Sequence, residues 1–309
     1  MTSRRRHDIW DVAIVGGGIA GLTAAWHATR RGLAVCLFEP QPGYGGQVST
    51  VNALDDWPAT GPVSGVELAA SLAGQLSPEV VELHNESVLA VRPEDGWLRV
   101  ASASHGIRAR RVIAASGAQL RPLDVPGETA LRGKGVSQCA HCDGGFFRGH
   151  DVVVVGGGDA ALQEALVLAE QCASVTIVSR SRLKARAGYV ERAAAKTNVR
   201  FVWDCEVDAV LGDAGVTGVR LRNVRTGESG ELPCAGVFPF IGVIADASYL
   251  PEEVQRDAGG RVVTDADLHS SVPGIFAIGA ARAGYGGDLV TAAGEAALAA
   301  TIAARDLSV

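Results

Sequence analysis

The chain has 309 residues, which at roughly 150 residues per domain accommodates two domains. Apolar residues make up 47% and charged residues 20%, so there is material for packed cores and a disordered chain is excluded. Against 34 Asp and Glu there are 28 Lys and Arg with no basic face in the pattern, which excludes nucleic acid as the main partner.

The start, MTSRRRHDIW, carries an arginine cluster with no apolar stretch behind it, and reads as a solvated basic tail rather than an export signal. No apolar run reaches the roughly 20 residues of a membrane span. A cytoplasmic protein without membrane contact is therefore expected, in a compartment where disulfides are transient and catalytic.

From Asp11, DVAIVGGGIAGLTAAWHATRRGLAVCLFEP reads as apolar strand, glycine turn, amphipathic helix and second apolar strand. Gly16 permits the tight turn, Gly18 lets the backbone approach a pyrophosphate, and Gly21 lets the helix lie close to the strand. The helix N-terminus then presents unsatisfied N–H groups to the phosphates. The second strand ends in Glu39, where a carboxylate accepts the hydrogen bonds of a free ribose, which fits FAD.

Further on, SQCAHCDGG places Cys139 and Cys142 around His141, with Asp143 directly after. This spacing serves zinc ligation, a structural clip or a cycling dithiol. Zinc would want a second Cys or His pair at matching spacing, and with none in the sequence no metal is expected. Cys36 and Cys172 fall on apolar-patterned elements and read as small buried hydrophobes, while Cys205 and Cys234 stand alone.

The strand–turn–helix–strand pattern recurs from Asp151 in DVVVVGGGDAALQEALVLAEQCASVTIVSR. Gly156, Gly158 and Ala161 repeat the roles of Gly16, Gly18 and Gly21, and Asp159 opens the helix. One G-x-G-x-x-G is weak evidence; two copies, each in the required context, are strong evidence for dinucleotide binding. Here the second strand ends in Ser179-Arg180, followed by Arg182, Lys184 and Arg186, so cations replace the carboxylate and suit the 2′-phosphate of NADPH. Last, VPGIFAIGAARAGYGGDLV reads as a strand over Ile275–Ile278, a glycine-rich loop and a long helix from about Leu289. Asp288 is its expected N-cap, and the helix N-terminus would offer positive potential to a flavin.

In order and spacing, GGGIAG, GYGGQV with DDWP downstream, AASGA, CAHCDGGFF, GGGDAALQEA and VPGIFAIG resemble the low-molecular-weight thioredoxin reductases, from Asp8 to about Arg305. The resemblance implies an α/β fold of two Rossmann-like three-layer dinucleotide-binding domains, the NAD(P)H domain inserted into the FAD domain. Residues 1–120 with 244–309 would form the FAD domain and residues 121–243 the NAD(P)H domain carrying the CxxC, with hinges near Gln119–Pro122 and Phe240–Val243. It also implies a homodimer and an electron path from NADPH through FAD and the Cys139–Cys142 pair to a thioredoxin-like protein. By family position Cys142 faces the flavin, Cys139 is its partner, and Asp143 gives a proton to the departing thiolate. The matched motifs add Gly17, Gly46, Gln47, Asp56, Gly117, Gly279, Ala280 and Leu289 to the FAD-site candidates, and Arg180 and Lys184 to those for NADPH.

The pattern also departs from the family. His141 stands where a small hydroxyl residue is usual, and a cation there favours thiolates and a more oxidising pair. Ala280 replaces the aspartate that reaches the ribitol, a loss of about 1.5–3 kcal/mol for one charged hydrogen bond. Gly287-Asp288-Leu289 replaces Arg-Gln-Ala at the flavin-facing helix start, and Asp56 replaces an asparagine. Ser179-Arg180-Ser181 replaces His-Arg-Arg, with Lys184 standing in for a later arginine. Three functions remain open. The favoured one is an NADPH-dependent disulfide reductase, since the second glycine motif is complete. The loss of one phosphate-binding cation leaves NADH, or no nicotinamide, as alternatives to NADPH. A dithiol oxidase would pass electrons from a protein or small dithiol through the CxxC and FAD to oxygen. A non-catalytic flavin-binding regulator is disfavoured by the intact Cys139, Cys142 and Asp143.

Overall fold

The computed structural model describes residues 9–51, 54, 57–58, 63–77 and 81–308; the arginine cluster of the tail and Asp56 lie outside the described residues. The chain divides into two compact units, Met1–Gln119 with Ile244–Val309, and Leu120–Val243.

The chain begins with β1 (Trp10–Val15), α1 (Ile19–Thr29) and β2 (Val35–Phe38), continues through α2 (Gly65–Ala73) and β3 (Val81–His84), and adds β4 (Val88–Glu94), β5 (Trp97–Ser102) and β6 (Gly106–Ala114). It leaves the first unit through β7 (Gln119–Leu120). The second unit holds α3 (Ala140–Asp143), β8 (Asp151–Val155), α4 (Asp159–Ala169), β9 (Ser174–Ser179), α5 (Ala187–Ala194) and β10 (Val199–Trp203). There follow β11 (Cys205–Gly212), β12 (Val216–Asn223), β13 (Ser229–Pro233) and β14 (Gly236–Pro239). The chain returns through β15 (Val243–Ile244), which pairs with β7, and closes with β16 (Ile275–Ala277) and α6 (Leu289–Leu307).

In the first unit the sheet order is β3-β2-β1-β6-β5-β4, with β16 also on β6. The strands β3, β2, β1, β6 and β16 run parallel, and β4 and β5 are antiparallel. Side chains alternate across a strand, so β1 sends Val12 and Ile14 to the helical side, with Leu22 of α1 and Ala299 of α6. Ala13 and Val15 face the opposite layer, with Val100 and Tyr249. A strand covered on both faces must be apolar throughout, which explains the unbroken VAIV run. Alanines at 296, 299, 300 and 303 of α6 are buried and let it lie close to α1.

The second unit repeats the logic. Its parallel sheet runs β10-β9-β8-β14. Val152, Val154 and Ile177 pack under α4 and α5, while Val153, Val155 and Val178 face the antiparallel β11-β12-β13 sheet. Both units are α/β structures built on a parallel sheet, as the resemblance implies. One boundary differs: the last strand stops at Ala277, because Gly279 at φ +60° turns the chain into a short 3-10 turn.

Candidate functional site

The first glycine turn shows what each residue is for. Gly16 lies at φ +110°, and a Cβ there would stand 2.3 Å from the Ala115 carbonyl oxygen. A Cβ on Gly21 would come within 1.8 Å of the Gly16 oxygen, so α1 can close on the turn only without one. Gly17 is walled by Glu39 and Tyr44. Gly18 meets only the Gly45 oxygen, at 3.8 Å, which leaves its face open. It is the N-cap of α1 and no side chain caps the helix, so the first N–H groups remain for an anion. Glu39 is buried; its Oε2 accepts from Gly17 N–H at 2.7 Å and its Oε1 from Gln41 N–H at 2.8 Å. The loop after β2 folds back on this turn, Gly45 N–H donating to Gly17 O at 2.9 Å and Gly46 lying beside Gly18. Gln47 donates to the Ala118 carbonyl, next to Gly117 at φ +70°. An open glycine face, an uncapped helix and a buried carboxylate fit the ADP half of a dinucleotide with a free ribose.

The second turn is built alike. Gly156 lies at φ +144°, and a Cβ would meet Phe240 O at 2.2 Å, while around Gly158, the uncapped N-cap of α4, nothing lies within 4 Å. Ala161 is buried where the first copy needs a glycine. Ser179 occupies the place of Glu39: a Cβ on Gly157 would touch its Oγ at 2.8 Å, and that hydroxyl donates to Ser181 O at 2.7 Å. Asp159 accepts from both Arg186 N–H and Arg186 Nε, each at 2.7 Å, tying the loop after β9 to α4. Arg180 and Lys184 are exposed on that loop, and Lys184 N–H donates to Gly157 O at 2.7 Å. Ser179, not a carboxylate, thus stands at the place of Glu39, and Arg180 and Lys184 follow it on the same loop.

In the redox turn, Cys139 and Cys142 form a disulfide. Cys139 is the N-cap of α3; its Sγ accepts from Cys142 N–H and its own N–H donates to Ser137 Oγ, both at 3.1 Å. His141 and Cys142 are exposed and Asp143 is half-buried, its N–H bonded to Cys139 O at 3.1 Å. Phe146 is 81% exposed, whereas Phe147 packs edge-on against Phe238. Burial pushes the Cys172 thiol up to about 11 and Cys234 to about 12, and raises Cys36 and Cys205 as well. These four are poor thiolates at neutral pH. Among the described residues no group of three or more His, Cys, Asp or Glu is placed to hold a metal.

At the start of α6, Asp288 Oδ1 accepts from Thr291 N–H at 2.7 Å and Oδ2 from Thr291 Oγ1 at 2.9 Å, so this acid serves the helix as its cap. Leu289 packs against Ile19, Leu54 and Leu68. Ala280 follows Gly279, whose N–H donates to the buried Glu295 Oε2 at 2.7 Å; Glu295 in turn binds Arg282 Nε at 3.0 Å.

The family model described as pyridine nucleotide-disulphide oxidoreductase matches residues 10–297. The chain belongs to that family. Within it, a thioredoxin reductase of Treponema pallidum is 38% identical over 297 residues, 96% of each chain. One from Mycolicibacterium smegmatis is 38% identical over 303 residues, 97% of each. A solved thioredoxin reductase of Lactococcus lactis superposes with a TM-score of 0.93 at 32% identity, over 97% of this chain and 99% of that one. This oxidoreductase thus has the family fold, with two dinucleotide-binding domains. Sequence reading passed over Tyr44, Glu164, Arg282 and Glu295. The signal for Glu164 and Glu295 was a carboxylate beside the apolar stripe of a helix, next to Ala165 and Ala296.

Proposed function

We propose that this oxidoreductase is an FAD-dependent disulfide reductase that takes electrons from NADPH and delivers them through Cys139–Cys142 to thioredoxin or a thioredoxin-like protein. The carrying observation is a disulfide with an exposed Cys142, in the unit that also bears the second, cation-flanked glycine turn. The family relatives named thioredoxin reductase support the same reading.

When bound, FAD supplies two-electron transfer between a nicotinamide and a disulfide. The chain's own residues divide the rest. Gly16, Gly17, Gly18, Gly21 and Glu39 hold the ADP half of FAD, with Gly46, Gln47, Gly117, Gly279, Ala280, Asp288 and Leu289 shaping its surroundings. Gly156, Gly158, Asp159 and Ala161 form the NADPH turn, and Arg180 and Lys184 meet its 2′-phosphate. Cys139 Sγ, receiving an N–H, is suited to carry thiolate charge, and Asp143 protonates the sulfur that departs. The exposed Phe146, close after Cys142 in the chain, supports a protein rather than a small dithiol as partner. A cytoplasmic homodimer is the form this reading expects, the dimer from the family resemblance. Among the described residues no helix is long and apolar enough to cross a membrane.

The test is NADPH-dependent reduction of a thioredoxin disulfide by the purified protein, against Cys142→Ser. The variant is expected to retain bound flavin and lose thioredoxin reduction altogether. Retained reduction would remove the pair from the reaction.

A further inference from the structure

One contact of the redox turn reaches outside the turn. Cys139 N–H and Cys142 N–H are satisfied within it, but Ala140 N–H donates to Glu164 Oε2 of α4, at 2.8 Å. Ala140 is fully buried, so without this acceptor its N–H would be stranded from water. Glu164 stands among the buried Leu162, Ala165 and Leu168 of its own helix. Burial pushes its carboxyl pKa up, opposed by the Ala140 N–H and by His141.

Among the described residues the charge acting on this carboxylate is that of His141; α5, which also packs on α4, carries Glu191 and Arg192, the latter over the Tyr189 ring. β8 and β9 present Val152, Val154, Val175 and Ile177 to the shared core. Arg186, ahead of α5, is engaged by Asp159 at the start of α4. The redox turn itself contributes His141, Asp143 and, once reduced, sulfur charge.

We propose that Glu164 is a positioning residue for the Cys139–Cys142 pair, fixing the turn through Ala140 and taking up a proton when the pair is reduced. The inference rests on that pair being redox-active, as the proposed function holds. A dithiol reductant gives up two electrons and two protons and leaves as a disulfide. The Cys139–Cys142 bond breaks, one sulfur takes a proton as a thiol, and the other remains a thiolate. The second proton goes to the Glu164 carboxylate, which avoids two like charges on either side of Ala140.

The experiment equilibrates the full-length flavoprotein anaerobically with reduced and oxidised dithiothreitol from mildly acidic to mildly alkaline pH. Alkylation and mass measurement then count free thiols at Cys139 and Cys142. Glu164→Gln keeps an acceptor for Ala140 and removes the ionisable group; Glu164→Ala removes both. Wild type is expected to show a bend in the pH dependence that both variants lack. At alkaline pH the Gln variant should favour the reduced pair by about three- to tenfold. In wild type alone, infrared difference spectra on reduction should show a protonated carboxyl band that Glu164→Gln lacks. A Gln profile that retains the bend, or a wild-type spectrum without that band, overturns the inference and leaves the reductase reading standing. A pair that exchanges with no dithiol in any variant overturns both.

Discussion

On the proposed function a single side chain decides much of the cofactor choice. Glu39 and Ser179 occupy equivalent places after the second strand of each glycine motif, and differ in what they offer a ribose. Glu39 is a buried carboxylate already aligned by two backbone N–H groups, and such a group accepts from free ribose hydroxyls and repels a 2′-phosphate. Ser179 is neutral, its hydroxyl spent on Ser181, so on the proposed function discrimination passes to Arg180 and Lys184. Arg180→Ala is therefore expected to weaken NADPH by about 10- to 100-fold, the worth of one charged hydrogen bond, and to leave NADH nearly unchanged. Steady-state KM values for both nucleotides check this, and equal losses would remove Arg180 from phosphate recognition. Asp288 is a second residue-scale lesson. Read from sequence as the N-cap of α6, it is found in that role: both carboxylate oxygens accept from Thr291, and its charge serves the α6 N-terminus.

At the scale of the element, the glycines of one turn do different work, and substitution separates them. Gly156→Ala puts a methyl 2.2 Å from Phe240 O at a positive φ, and is expected to cost about 1–3 kcal/mol of stability. Gly158→Ala meets nothing within 4 Å, so it should fold as wild type. On the proposed function its methyl would stand where the pyrophosphate approaches, and NADPH should weaken by roughly tenfold or more, at least about 1.4 kcal/mol. Thermal melts and NADPH titration of both variants distinguish these outcomes. A destabilised Gly158→Ala with normal NADPH binding would contradict the assignment.

The same comparison shows why these elements were legible. Strand, turn, helix and strand are contiguous in sequence, and each glycine's reason is local, so period and spacing sufficed. The antiparallel β11-β12-β13 sheet, by contrast, carried no motif that told one what it packs against. Glu164 and Ala140 stand 24 positions apart and meet only because α3 lies on α4. Arg282 and Glu295 meet where the loop after β16 folds onto α6. Through-space pairs of this kind leave no periodic trace, and a carboxylate beside an apolar helical stripe is their faint sign.

At the scale of the whole molecule, each unit has its own sheet, its own buried core and its own glycine turn, and the chain passes between the units twice. The disulfide and the cation-flanked turn belong to one unit, the Glu39 turn to the other. Two dinucleotide sites and one dithiol make sense only if electrons pass in sequence, and the direction of flow is the central claim. An anaerobic titration of the purified flavoprotein with NADPH, NADH and a dithiol in parallel tests it most directly, following flavin absorbance and then alkylating the thiols. NADPH is predicted to bleach the flavin rapidly and to leave Cys139 and Cys142 alkylated. Bleaching by the dithiol alone, reversed on admitting air, would contradict the account and assign the oxidase direction instead.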